Sequence, residues 1–164
     1  TIGTGIGAGI VSAGNLIHGV SHPEVGHMFI PQKALWDAFQ GCCPFHKNCL
    51  EGLASGPAMA ARWNMPAEEL TADHPAWVLE AHYLALMCAN ITLMLAPQKI
   101  ILGGGVMQHA ALFPLVREQF ASLLAGYGQG EELNNLNTYI VPPGRPEQSG
   151  FLGALVLAKS AGVD

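Results

Sequence analysis

The run Gly41-Cys42-Cys43-Pro44-Phe45-His46-Lys47-Asn48-Cys49 restricts the folding of this chain more than any other segment. Within it, Cys43-x2-His46-x2-Cys49 spaces three soft or borderline donors so that one short loop can wrap one face of a small tetrahedral ion. Zinc accepts mixed cysteine and histidine donors at about 2.0–2.3 Å and needs four of them for a closed structural site. His27 is a candidate for the fourth place, because Gly26 beside it lets the backbone turn sharply. His18, His22 and Cys42 compete for the same place. The plainer alternative is a set of unrelated surface histidines and an oxidation-prone cysteine pair, but the density of donors favours metal. A metal here would be structural, fixing a loop-like stretch, Ser21 to Asn48, that has too little core of its own.

The remaining cysteine, Cys88, sits in an apolar segment, where the thiol behaves as a small hydrophobe. This is no disulfide framework for a chain of 164 residues. The start, Thr1-Ile2-Gly3-Thr4-Gly5, carries no basic signal-peptide region, so a reducing, cytoplasmic setting is expected. Only 12% of the residues are charged and 50% are hydrophobic, against a usual charged share of about 25%. A chain of this kind folds, here as one domain over residues 1–164, and much of its surface is expected to face a partner rather than water. The net charge is −5 and the basic residues are scattered, which argues against a nucleic-acid surface. The segment from Ala76 to Ala96 is apolar and as long as a membrane span. It contains Glu80, His82 and Asn90 between Pro75 and Pro97, so a buried core helix is expected, with no membrane partner.

Around that helix the pattern is α/β. Ile10-Val11 and Leu16-Ile17 flank Ser12-Ala13-Gly14-Asn15, whose turn chemistry predicts a hairpin behind a glycine loop. Leu50 to Trp63 reads as helix, broken at Gly56-Pro57, and Pro66 to Leu70 as a short helical turn. Lys99 to Leu102 reads as a buried strand that feeds Gly103-Gly104-Gly105, followed by a helix from Leu112 to Leu124. Asn134 to Asn137 reads as a polar loop, Tyr139 to Val141 as a strand, and Gly150 to Ala161 as a final helix. Strand, helix, strand, helix is the order of α/β layering.

Two glycine segments could meet a phosphate-bearing ligand. Gly3-Thr4-Gly5-Ile6-Gly7-Ala8-Gly9 offers unobstructed backbone N–H groups and the Thr4 hydroxyl, although a glycine-rich hairpin explains it as well. It is not a P-loop, since no Gly-Lys-Ser/Thr follows. Gly103 to Met107 lies between a strand and a helix, where bare backbone can carry a flat ligand or simply turn. Glu24 and Glu51 flank the donor cluster. A shared metal would bring these two acids together, where carboxylates suit the hydroxyls of a sugar; without it each is an ordinary surface acid.

These pieces, in this order, resemble the ROK family of sugar kinases and sugar-responsive repressors. The resemblance is carried by the first glycine loop, His22-Pro23-Glu24-Val25-Gly26-His27, and the Cys/His run into Leu50-Glu51-Gly52. It continues through Ala54-Ser55-Gly56-Pro57-Ala58, Ile100 to Val106, and Gly150 to Ala158. Cys43-Pro44-Phe45-His46-x2-Cys49 looks like the fructokinase branch. The family's repressor and N-acylmannosamine kinase branches typically show Cys-x-Cys-x4-Cys.

The resemblance implies the C-terminal lobe of an actin-like (ribonuclease H-like) ATPase and sugar kinase fold with a zinc-stapled loop. It implies zinc on His27, Cys43, His46 and Cys49, and ATP with Mg²⁺ on Thr4, Gly5, Pro57, Gly103, Gly104, Gly105, Val106 and Met107. It also implies a hexose, fructose first, near Glu24, His27 and Glu51, and a homodimer. Such kinases open with an Asp-x-Gly-Gly-Thr loop and carry a catalytic Asp in an N-terminal lobe. Asp37, Asp73 and Asp164 do not match that context, so no catalytic residue is expected in this chain and the missing lobe is its partner. The alternatives are a sugar-sensing and dimerisation domain of a ROK-type repressor, with the zinc loop but no use for ATP, and an unrelated zinc-stapled structural domain.

Overall fold

A hairpin opens the computed structural model, which describes residues 1–32, 37–128, 130–160 and 162. Its strands, Val11–Ser12 (β1) and Asn15–Leu16 (β2), pair antiparallel, with Val11 opposite Leu16 and Ser12 opposite Asn15. Ala13 and Gly14 connect them at φ of 50° and 78°, and two successive positive φ values give the turn whose twist matches that of paired strands. The hairpin is the one expected from the turn residues.

Helices α1 (Leu50–Ala54) and α2 (Gly56–Trp63) meet at Ser55, whose hydroxyl accepts from the Ala58 N–H at 3.3 Å. Ser55 thus caps α2, and Pro57 in the first turn needs no N–H there. Helix α3 (Ala76–Leu95) ends at Ala96 in the left-handed region, φ 43°, immediately before Pro97. By length and composition α3 could cross a membrane. Its most extensive contact is instead with α4 (Leu112–Leu124), and it also packs against α1. Ala81, Tyr83, Leu84, Ala85 and Cys88 are fully buried between them. Burial pushes the Cys88 thiol up to about 12, as expected of a cysteine that serves as a small apolar group.

Ile100–Ile101 (β3) pairs in parallel with Ile140–Val141 (β4), Ile100 opposite Ile140. Parallel neighbours need a crossover, and α4 lies on it, with Val116 and Phe120 fully buried. The approach to β4 corrects two expectations. Asn134 to Asn137 is not a plain loop: Asn134 ends a 3₁₀ turn from Glu131, and Leu136–Tyr139 forms a one-turn helix, α5. The Asn135 side chain accepts from the Asn137 N–H at 3.1 Å and so caps it, the use of asparagine that loop composition conceals. Tyr139 ends that helix rather than opening the strand, and its buried hydroxyl shares a 2.9 Å hydrogen bond with Thr92 on α3. Helix α6 (Ser149–Ser160) follows, with Phe151, Leu155 and Val156 exposed. The expected helix end at Ala161, and Asp164, lie outside the described residues.

One buried ion pair joins the layers. Arg62 of α2 donates through Nε to Asp37 Oδ1 at 3.0 Å, and the Tyr83 hydroxyl on α3 donates to Asp37 Oδ2 at 2.6 Å. Arg62 also donates to the Leu53 carbonyl at 2.7 Å. Asp37 is therefore a structural tie between α2 and α3.

Candidate functional site

Three glycines let the donor cluster assemble. Val25–His27 forms a 3₁₀ turn in which the His27 N–H donates to the Glu24 carbonyl at 3.0 Å. A Cβ at Gly26 would lie 2.0 Å from the Ile6 carbonyl oxygen, so only glycine lets this turn lie on the first glycine loop. On the other side, Cys43 and Lys47 exchange backbone hydrogen bonds at 3.2 and 3.0 Å, closing a tight knuckle with Lys47 at φ 59°. Gly41 (φ 81°) and Gly52 sit where a Cβ would strike the Lys47 carbonyl, at 2.1 and 1.8 Å. The bridge between Phe29 and Cys49 then draws the two halves together.

The donor atoms of His27, Cys43, His46 and Cys49 lie within 4.8 Å of one another. His27 Nδ1 is 3.8 Å from Cys43 Sγ and 3.7 Å from Cys49 Sγ, and His46 Nδ1 is 3.8 Å from Cys43 Sγ. Zinc bonds of about 2.3 Å to sulfur and 2.0–2.1 Å to nitrogen, meeting at a tetrahedral angle, set S and N about 3.6 Å apart. The spacing and the donor chemistry both fit that ion. Burial alone would push the Cys43 thiol up, but the backbone N–H groups of His46 and Phe45 and the side chains of Cys49 and His46 bring it down to about 6. Burial pushes Cys49 up. His18, His22 and Cys42 stand outside the group. His22 instead pairs with Glu24 at 2.7 Å in solvent.

The two acids differ in their surroundings. Glu24 leads into the His27 turn and is half exposed. Glu51, on α1, accepts the Ile6 N–H at 2.9 Å, and the same oxygen lies against Gly5, where a Cβ would come to 2.7 Å. Glu51 thus fastens the donor cluster to the first glycine loop, a link that its position in the sequence did not reveal.

That loop is laced to its neighbours. Ile2 donates to the Gly103 carbonyl at 2.6 Å and accepts from Val106 at 3.2 Å, while the Gly56 N–H donates to Gly3 at 2.8 Å. Between these segments opens a cleft of about 640 Å³, within the usual range for small-molecule sites. Of the residues expected to meet the nucleotide, Thr4, Pro57, Gly105 and Val106 line it. The others are not part of its lining. Gly103 packs on Pro143, Gly104 (φ 109°) lies on the Ile2 backbone, Met107 is buried in the core, and Gly5 faces Glu51. The opposite wall, which sequence reasoning missed, comes from Pro66 to Glu68, Leu70, Trp77, Gln108 and His109. The Trp77 and His109 rings stack at 3.9 Å, 5° from parallel, and Trp77 Nε1 donates to the Thr71 carbonyl at 2.9 Å. Residues from α3 and two 3₁₀ turns meet there without any shared motif.

Superposition on two solved structures gives the chain the actin-like, ribonuclease H-like fold. A ROK hexokinase from Thermus thermophilus superposes at a TM-score of 0.75 with 24% identity, covering 98% of this chain and 57% of that one. A ROK family glucokinase from Streptomyces griseus, solved with glucose and AMPPNP, superposes at 0.71 with 22% identity, covering 97% and 59%. The chain belongs to the ROK family, whose match runs over residues 1–161. A fructokinase of Pediococcus pentosaceus is 45% identical over 161 residues, 98% of this chain and 54% of its own length. A fructokinase of Zymomonas mobilis is 39% identical over 164 residues, 98% of this chain and 53% of its own length. The chain spans about half the length of the curated relatives it matches.

Proposed function

We propose that this chain is the C-terminal lobe of an ATP-dependent sugar kinase of the fructokinase type, which converts D-fructose and ATP to fructose 6-phosphate and ADP in the cytoplasm. The observation that carries the reading is the 45% identity to a fructokinase along 98% of the chain, and the four-donor cluster of His27, Cys43, His46 and Cys49 supports it. His27, Cys43, His46 and Cys49 hold zinc, which supplies rigidity to a loop short of apolar contacts.

In this reading the nucleotide occupies the cleft. Thr4 and the first glycine loop meet the phosphates with their hydroxyl and N–H donors, while Pro57, Gly105 and Val106 line the base and ribose. The sugar binds beside the zinc loop, where Glu24 and Glu51 accept hydrogen bonds from its hydroxyls and the loop that carries His27 would form the wall. Mg²⁺ arrives with ATP and screens the phosphate charge. The base that accepts the sugar hydroxyl proton comes from the other half, since Asp37 is committed to Arg62 and Tyr83 and Asp73 is exposed. The two halves close over the sugar and exclude water, and the working unit is a homodimer.

The test is ADP release by the zinc-loaded full-length polypeptide with fructose, mannose and glucose. Fructose is expected to give the highest kcat/KM. If no hexose is phosphorylated while fructose still raises the melting temperature, the sugar-sensing reading replaces this one.

A further inference from the structure

The turn that carries Thr4 is held on both arms by the α1–α2 segment. Ile2 bridges Ile6 antiparallel, and the Gly3 N–H donates to the Gly5 carbonyl at 3.0 Å, which leaves Thr4 at the tip. Before the tip, the Gly3 carbonyl accepts from the Gly56 N–H, in the first turn of α2, at 2.8 Å. After it, the Ile6 N–H donates to Glu51 Oε2 on α1 at 2.9 Å. The Ile6 carbonyl oxygen rests on Gly26, where a Cβ would lie 2.0 Å away. The tip itself is open. The Thr4 and Gly5 N–H groups have no hydrogen-bond partner among the described residues, and Thr4 lines the cleft.

The grip on Ile6 runs against simple electrostatics. Among the described residues no lysine or arginine lines the cleft, so a phosphate there meets only neutral donors of this lobe. A carboxylate just behind those donors repels it. The gain that offsets the repulsion is order. A glycine-rich turn loses more backbone freedom than any other when a ligand fixes it, and a turn already fixed binds without that cost. A charged acceptor makes the stronger hydrogen bond for the purpose. Glu51 Oε1 accepts no hydrogen bond among the described residues.

We propose that Glu51 is a positioning residue for the nucleotide. Through Oε2 it fixes the Ile6 peptide and so presets the Thr4 hydroxyl and the Thr4 and Gly5 N–H groups for phosphate, while Oε1 stays open to the sugar. One carboxylate thus connects the two substrate sites. The proposal rests on the reading of the cleft as the nucleotide site.

Calorimetric titration of Mg-ADP into the zinc-loaded full-length polypeptide tests it. Sugar is left out, so no sugar contact of Glu51 contributes. Zinc content and melting temperature are read on the same samples. Glu51→Ala removes both the acceptor and the charge, and is expected to weaken Mg-ADP binding at least about tenfold. Glu51→Gln keeps an oxygen for the Ile6 N–H but loses the charge, and is expected to bind as tightly as the parent or more tightly. Should Glu51→Ala fail to fold, Gly5→Ala reaches the same contact. Its methyl would come 2.7 Å from Oε2, the movable end of a side chain, at a residue without positive φ, and binding is expected to weaken again. Unchanged or tighter binding in Glu51→Ala, or an equal loss in both Glu51 variants, overturns the role and leaves the nucleotide cleft in place. A loss that comes with lost zinc assigns Glu51 to upkeep of the metal loop and overturns it too. Absence of Mg-ADP binding in the unmodified polypeptide overturns the nucleotide reading itself, and this role with it.

Discussion

Removing one donor from the His27, Cys43, His46 and Cys49 cluster leaves three that cannot close a tetrahedral shell. His27→Ala and Cys49→Ala are each expected to lower bound zinc from about one per chain to a small fraction, with a fall in melting temperature, read by elemental analysis and calorimetry. His22→Ala is expected to leave zinc unchanged, because His22 faces Glu24 in solvent. A second residue-scale prediction concerns Glu80, fully buried on α3 with both carboxylate oxygens lacking a partner among the described residues. Burial raises its pKa well above the ordinary value of 4.5, against a smaller opposing pull from Arg62. For an acid with a raised folded pKa, the unfolded chain loses its proton first. Stability is therefore complete below about pH 4.5 and falls as the pH rises toward the folded value. Glu80→Gln is expected to flatten that slope and to raise stability at neutral pH by about 1–2 kcal/mol, measured by urea unfolding across pH 5–8.

At the scale of elements, the glycine turn after β3 holds the cleft wall. Gly104→Ala puts a methyl group 2.2 Å from the Ile2 carbonyl oxygen at φ 109°. A cost of at least about 2 kcal/mol is expected, with weakened nucleotide binding in the full-length polypeptide by fluorescence titration, whereas Gly105→Ala meets nothing within 4 Å. Elements with local causes could be read from the sequence. Ala13-Gly14 announced the hairpin, Gly56-Pro57 the break between α1 and α2, and Pro97 the end of α3. The donor spacing announced the grouping of Cys43, His46 and Cys49. Features made by distant contacts could not be read in this way. The choice of His27 depends on a turn resting on Ile6. The Asp37–Arg62–Tyr83 tie spans the chain from the loop before α1 to α3, and the far wall of the cleft gathers Leu70, Trp77 and His109 by packing alone. Asn135 was misread because its residue type suits a loop and a helix cap equally well.

For the whole molecule, exposure of Phe151, Leu155 and Val156 on α6 and an open groove beside β3 fit a chain that matches about half the length of its relatives. The chain by itself is expected to phosphorylate no sugar, and the full-length polypeptide is expected to do so at kcat values in the ordinary kinase range of about 1–100 s⁻¹, measured by ADP release. The knuckle between Gly41 and Cys49 adds a different consequence. It carries an exposed Lys47 at its tip and is closed by two backbone hydrogen bonds and the donor cluster. If the cluster holds zinc as proposed, stripping the metal is expected to open that loop to trypsin. Cleavage after Lys47 should be slow in zinc-loaded protein and fast once a chelator is added, and equal rates in the two samples would mean that the metal does not protect the loop.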